Sequence, residues 1–121
     1  MDLGELYKAD NNLLLIEDCY RTTNTWERLR GLIGRGFLSE KTALLLDPSD
    51  CIHTFFMCNS IDVLYLDESL RIIKTVAELK PWKLSACLKA TTVLVLSARS
   101  IKKHNLSPRK KLVWTLKHQV W

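Results

Sequence analysis

The run Cys51–Asp67, CIHTFFMCNSIDVLYLD, constrains the fold more than any other part of this chain. Side chains of a β-strand alternate between its two faces. On that rule Cys51, His53, Phe55 and Met57 share one face, and Ile52, Thr54, Phe56 and Cys58 share the other. Asn59-Ser60 then makes a tight turn or bulge. Ile61–Leu66 follows as a second strand, with Ile61, Val63 and Tyr65 on one side and Asp62, Leu64 and Leu66 on the other. Asp67-Glu68-Ser69 turns the chain, and Leu70–Val76 returns as the second half of a hairpin. The alternation of apolar residues marks this region as core.

The flanking sequence adds short elements of the same kind. Residues 1–12 are polar and end in the turn signal Asp10-Asn11-Asn12. Leu13–Arg21 reads as a first strand. Asn24 can cap a helix near 24–34, with Glu27 three residues on as in a capping box. Trp26, Leu29 and Ile33 form its apolar face, and Gly34 and Gly36 stop it. Thr42–Leu46 is a short buried strand. Lys80-Pro81-Trp82 opens a loop through about Lys89, and Ala90–Leu96 is again a strand. Ser97 can cap a short helix near 98–104, with Ile101 as its buried contact, and Leu112–Leu116 is a last strand. The expected architecture is one domain over residues 1–121 of mainly β (α+β) class. It is a small antiparallel β-barrel or sandwich with one helix near 24–34 and a short one near 98–104.

Composition narrows the functional classes. With 47% hydrophobic and 26% charged residues among 121, the chain can bury a globular core and is not a disordered segment. Its apolar runs are too short to span a bilayer, and no membrane is counted among the expected partners. The start shows no basic segment followed by a long apolar one, so a cytoplasmic location with reduced thiols is expected for Cys19, Cys51, Cys58 and Cys87. All 13 acidic residues lie at or before Glu78, whereas the last 43 residues carry 10 Lys and Arg and no acid. Such a split suits contact with nucleic acid, an anionic membrane surface or an acidic partner, and equally suits a solvated face.

Four blocks together resemble a known family: Trp26–Arg35 (WERLRGLIGR), Ile52–Met57 (IHTFFM), Ile61–Asp67 (IDVLYLD) and Leu79–Trp82 (LKPW). In identity and spacing they are similar to the bacterial and archaeal family called domain of unknown function 192, over roughly residues 13–115. The resemblance implies a small β-rich fold with short helices and no established biochemical activity. The chain departs from the family pattern toward its end. Val95 stands where an acid is usual, Arg99 where a glycine is usual, and Arg109-Lys110 where a Gly-Asp pair is usual. Thr42–Leu46 replaces a Gly-Met-Leu-Phe-like segment.

Several residues could carry chemistry. His53 and Asp62 lie on neighbouring strands; a carboxylate beside an imidazole fixes its tautomer and suits acid–base work, or else pins strand register. Cys51, His53, Met57, Cys58 and Cys87 are soft ligands, but no zinc-type Cys-x-x-Cys spacing accompanies them, and neither a metal nor a cofactor is expected. Cys51 next but one to His53 lacks an oxyanion hole for thiol catalysis. Trp26, Arg30, Arg35, His53, Met57, Asp62 and Trp82 could line one site for a small anion, since Arg pairs well with carboxylate and phosphate. The leading expectation is a binding or accessory module for a small anionic ligand or an acidic protein. An enzyme using His53 and Asp62 is one alternative. Nucleic-acid binding through the basic C-terminal segment is another, with Trp121 as the freer ring and Trp114, on a strand, expected in the core.

Overall fold

The computed structural model describes residues 2–23, 26, 33, 36–55, 57 and 59–117. Its strands are β1 (Asp2–Lys8), β2 (Leu14–Thr22), β3 (Thr42–Leu46), β4 (Cys51–His53), β5 (Ile61–Leu66), β6 (Ile72–Leu79), β7 (Leu84–Ala86), β8 (Thr92–Ser97) and β9 (Leu112–Leu116). A short helix, α1, spans Ser100–Lys103. Seven strands form one sheet in the order β6-β5-β8-β3-β2-β1-β9, while β4 and β7 pair as a separate two-stranded ribbon.

The sheet is mixed, not wholly antiparallel. β2 and β3 run parallel, from Asp18 opposite Thr42 to Thr22 opposite Leu46. Parallel neighbours need a crossover of a dozen or more residues, and the segment between β2 and β3 supplies it. The helix expected at 24–34 falls in this crossover. Its described residues, Trp26 and Ile33, are helical; the others, Asn24 and Glu27 included, lie outside the described residues. The sheet is not closed into a barrel. Its edge strands β6 and β9 meet at one corner, where Arg71 bridges to Lys111 and backbone hydrogen bonds join residues 70–72 to 109–112.

The middle strands β5, β8 and β3 are buried on both faces, which explains their nearly continuous apolar runs. On one face Ala43, Leu45, Leu64, Leu66, Leu94 and Leu96 pack with Leu6, Ile101 and Leu112. On the other Leu44, Leu46, Ile61, Val63, Tyr65, Val93 and Val95 pack with Ile33, Ile52 and Met57. The helix α1 therefore helps cover the first face, and the ribbon and crossover cover the second.

β1 is the strand that the polar N-terminal sequence conceals. Gly4 sits where it meets β9, and a Cβ there would lie 2.4 Å from the Trp114 indole. A strand glycine of this kind marks close approach of a neighbour. The strand expected to run from Cys51 to Cys58 stops at His53. The Met57 amide N–H donates to the Thr54 carbonyl at 3.2 Å, closing a turn. Met57 is thereby sent into the core instead of sharing a face with His53.

Candidate functional site

The site grows from Thr54, which is fully buried just after β4. Its hydroxyl donates to the Lys80 carbonyl at 2.5 Å and accepts the Lys83 N–H at 2.9 Å. Its own N–H donates to the Lys83 carbonyl, and its carbonyl accepts the Trp82 N–H, both at 2.8 Å. One threonine thus fixes the backbone of Lys80-Pro81-Trp82-Lys83. Trp82 is held at φ 64°, a left-handed conformation that costs a non-glycine residue on the order of 1 kcal/mol. The residue is not buried in exchange: it stays 58% exposed.

The ribbon supplies the rest. Cys51 opposes Ala86, Ile52 opposes Ser85, and His53 opposes Leu84. Ile52 and Ser85 face inward: Ile52 is in the core, and the Ser85 hydroxyl accepts from the Tyr65 hydroxyl at 2.7 Å. Cys51, His53, Leu84 and Ala86 therefore face outward. The Phe55 ring extends this face, 4.8 Å from His53 and stacked at 6.1 Å on Trp82. The result is a shelf of three rings, continued by Leu84 and flanked by the exposed Lys80 and Lys83.

The shelf is braced from behind and at its edges. The Trp26 Nε1–H donates to the His53 carbonyl at 2.6 Å. The Ser49 hydroxyl donates to the Cys51 carbonyl, and Lys74 Nζ to the Ala86 carbonyl, each at 3.2 Å. Lys74 Nζ also lies 5.6 Å over the Tyr65 ring. The outward carbonyls of His53, Cys51 and Ala86 are thus occupied, which blunts both ribbon edges toward a pairing strand.

The structure brings together Trp26, His53 and Trp82 from the expected site, with Met57 beneath them in the core. Arg30 and Arg35 lie outside the described residues. Asp62 belongs to a different place. It is fully buried on β5; one carboxylate oxygen accepts the Glu78 N–H and the other the Ile101 N–H, each at 2.8 Å. Its hydrogen bonds therefore join β5, β6 and the start of α1, and none goes to His53. This carboxylate does what Ser97 was expected to do at that helix end. Asp62 also borders a cleft of about 200 Å³ with Ala77, Glu78, Arg99 and Lys102.

Thiol chemistry finds little support in the geometry. Partial desolvation, then the hydrogen bond to Asp50 and its negative charge, push the Cys51 thiol up, which disfavours the reactive thiolate. Burial pushes the Cys19 thiol up to about 12. Among the described residues no three His, Cys, Asp or Glu side chains group closely enough to hold a metal ion. No helix there is long and apolar enough to cross a membrane. Trp114 donates its Nε1–H to the Cys19 carbonyl at 3.0 Å, so that ring is a packing element of the fold.

Sequence reasoning passed over Thr54, Phe55, Lys83 and Leu84. The alternation did place Phe55 with His53. The interleaving of Lys80, Trp82, Lys83, Leu84, Leu88 and Lys89, with no acid among them, was the available signal for the others.

Comparison with known proteins agrees with this fold. The chain is similar in structure to a proposed transcription regulator from Sinorhizobium meliloti 1021, with a TM-score of 0.75 and 17% identity over 93% of this chain and 92% of the other. It is also similar to a protein of unknown function from Novosphingobium aromaticivorans DSM 12444, with a TM-score of 0.70 and 14% identity over 93% of this chain and 84% of the other. At these identities the likeness shows the fold alone. No curated protein sequence matches the chain. Residues 11–114 match the family model of domain of unknown function 192, described as an uncharacterised ACR. The chain belongs to the domain of unknown function 192 family.

Proposed function

We propose that this protein is a cytoplasmic binding or accessory module that takes an anionic ligand on the shelf of His53, Phe55 and Trp82. The rings supply apolar contact, and Lys80 and Lys83 supply positive charge. The observation that carries the reading is the placement of Trp82. Its backbone is held by Thr54 in a left-handed conformation, yet the residue stays exposed. Ordering a large aromatic at a conformational cost without burying it is the pattern of a preorganised binding surface.

The reading as an enzyme using His53 and Asp62 draws less support, because both Asp62 oxygens accept backbone N–H groups elsewhere in the fold. The reading as a nucleic-acid binder through the C-terminal segment draws less support, because Trp114 packs internally, as its strand position leads one to expect, and Trp121 lies outside the described residues.

The test is an NMR titration of isotope-labelled protein with citrate and with ATP. Backbone signals of His53, Thr54, Phe55, Trp82 and Lys83 are expected to move together and saturably. Signals that move only around the Asp62–Arg99 cleft, or not at all, would count against the reading.

A further inference from the structure

The ribbon face extends beyond the three rings, and what extends it is aliphatic. Leu84 is 69% exposed and Leu88 is 89% exposed, alongside Trp82 at 58% and Phe55 at 37%. Singly exposed leucines are ordinary, but four exposed large apolar side chains fall on one ribbon and its connecting turns. Lysines surround it. Lys80, Lys83 and Lys89 are all exposed, and among the described residues none of them makes an ion pair. Of the acids closest in sequence or strand pairing, Glu78 is engaged with Arg99 at 3.4 Å, and Asp50 lies at the Leu88 end of the ribbon, where its carbonyl accepts the Cys87 N–H at 2.8 Å and its carboxylate is beside Cys51.

The mix of side chains selects among anionic partners. Stacked bases would use Trp82 and Phe55 but would gain little from Leu84 and Leu88. A strand-forming peptide would need free ribbon edges, and the outward carbonyls of His53, Cys51 and Ala86 already accept side-chain donors. An anionic bilayer surface uses every component at once. Leucine and phenylalanine enter the acyl boundary, tryptophan sits at the headgroup level, and lysines lie along the headgroup phosphates with their stems on the apolar layer. Each lysine near such a surface adds about 1 kcal/mol of attraction. Peripheral contact of this kind needs no membrane-crossing segment.

Resting on the anion-binding reading above, we infer that the ligand is the surface of an anionic phospholipid bilayer. The protein docks there through Phe55, Trp82, Leu84 and Leu88, with Lys80, Lys83 and Lys89 against the headgroups. The same shelf that would accept a free phosphate accepts it here as part of a membrane.

Co-sedimentation with vesicles tests this. One vesicle set is pure phosphatidylcholine, and the other is phosphatidylcholine mixed with phosphatidylglycerol. The full chain is expected to sediment with the mixed vesicles and stay in solution with the pure ones, and added salt should release it. The double variant Leu84→Ser/Leu88→Ser alters only exposed positions, so circular dichroism should show an unchanged fold. Its partition is expected to fall about tenfold or more, since the lost apolar burial is several methylenes' worth. Lys80→Ala/Lys83→Ala should lower partition and flatten its salt dependence. Equal recovery in solution with both vesicle types, or undiminished binding by the leucine variant, would overturn the inference. If oligo(dT) binds instead and depends on Trp82 but not on the leucines, the partner is single-stranded nucleic acid and the bilayer is excluded. A saturable shift of the shelf signals by ATP without any vesicle binding would overturn the bilayer alone and leave the anion-binding reading standing. Absence of both would remove the two together.

Discussion

The Asp62 carboxylate receives the Ile101 N–H at 2.8 Å across 39 residues of sequence, and its second oxygen receives the Glu78 N–H at the same distance. Both bonds are charge-assisted, and the residue is fully buried. Asp62→Ala strands the Ile101 N–H in the interior and removes the acceptor of the part-buried Glu78 N–H. It is expected to lower unfolding stability by about 2–5 kcal/mol, read from urea denaturation midpoints. A variant that unfolds at the wild-type midpoint would show that these bonds contribute nothing.

Arg99 and Arg109 sit at φ 74° and 80°, where side chains beyond glycine are strained. These are the two positions where family resemblance led to an expected glycine. Neither arginine is strongly held by its side chain: the Arg99–Glu78 contact is long and exposed, and such pairs are worth little. Arg109 offers Arg71 its carbonyl, which any residue retains. Arg99→Gly and Arg109→Gly should each stabilise the protein by about 0.5–1 kcal/mol in thermal unfolding. Loss of stability in either variant would mean that the arginine head groups matter more than their backbones.

His104, beside α1, has its ring held below the ordinary value of 6.5, first by desolvation and then by Lys103 and Lys8, against a weaker opposing pull from Glu40. The folded state therefore binds a proton less readily than the unfolded chain. Its contribution is fully present above pH 6.5 and is lost as the pH falls below that and through the depressed value. His104→Gln should show a smaller loss of stability on acidification than the wild type. Parallel curves for the two proteins would refute the assignment.

Thr54→Val keeps the shape of the side chain and removes its hydroxyl. The Lys80 carbonyl loses its donor, and the Lys83 N–H loses its acceptor. A cost of about 1–3 kcal/mol is expected, concentrated in the 80–83 segment. Hydrogen exchange should quicken at the Trp82 and Lys83 amides while the β5 and β8 amides keep their protection. Unchanged exchange at Trp82 would show that Thr54 does not hold the shelf.

The fold was most readable where burial alone decides structure. β3, β5 and β9 begin and end where the apolar runs do, because β3 and β5 are central and two-sided and β9 is bounded by turn chemistry. β1 escaped notice because Asp2, Gly4 and Glu5 weaken its strand pattern, and its pairing with β2 and β9 is a tertiary fact. Period-two alternation carried His53 and Phe55 to one face correctly. It failed at Met57, because the turn at Thr54 resets the phase. Asp62 looked like a partner for His53 because the two lie nine residues apart on neighbouring segments. Nothing local reveals that β4 leaves the main sheet to pair with β7. Trp82 was picked out by its motif, but its exposure depends on four backbone bonds to a threonine 28 positions earlier, which no spacing rule anticipates.

The affinity of Trp82→Ala for ATP, read from the same NMR titration as the wild type, tests the shelf most directly. Trp82 stands out from the core, so the variant should melt as the wild type does. Loss of one aromatic stacking surface should weaken binding about tenfold or more, in keeping with the roughly 1–3 kcal/mol that such stacking contributes. Equal affinities in the two proteins would contradict the claim that this ring is held out for a ligand.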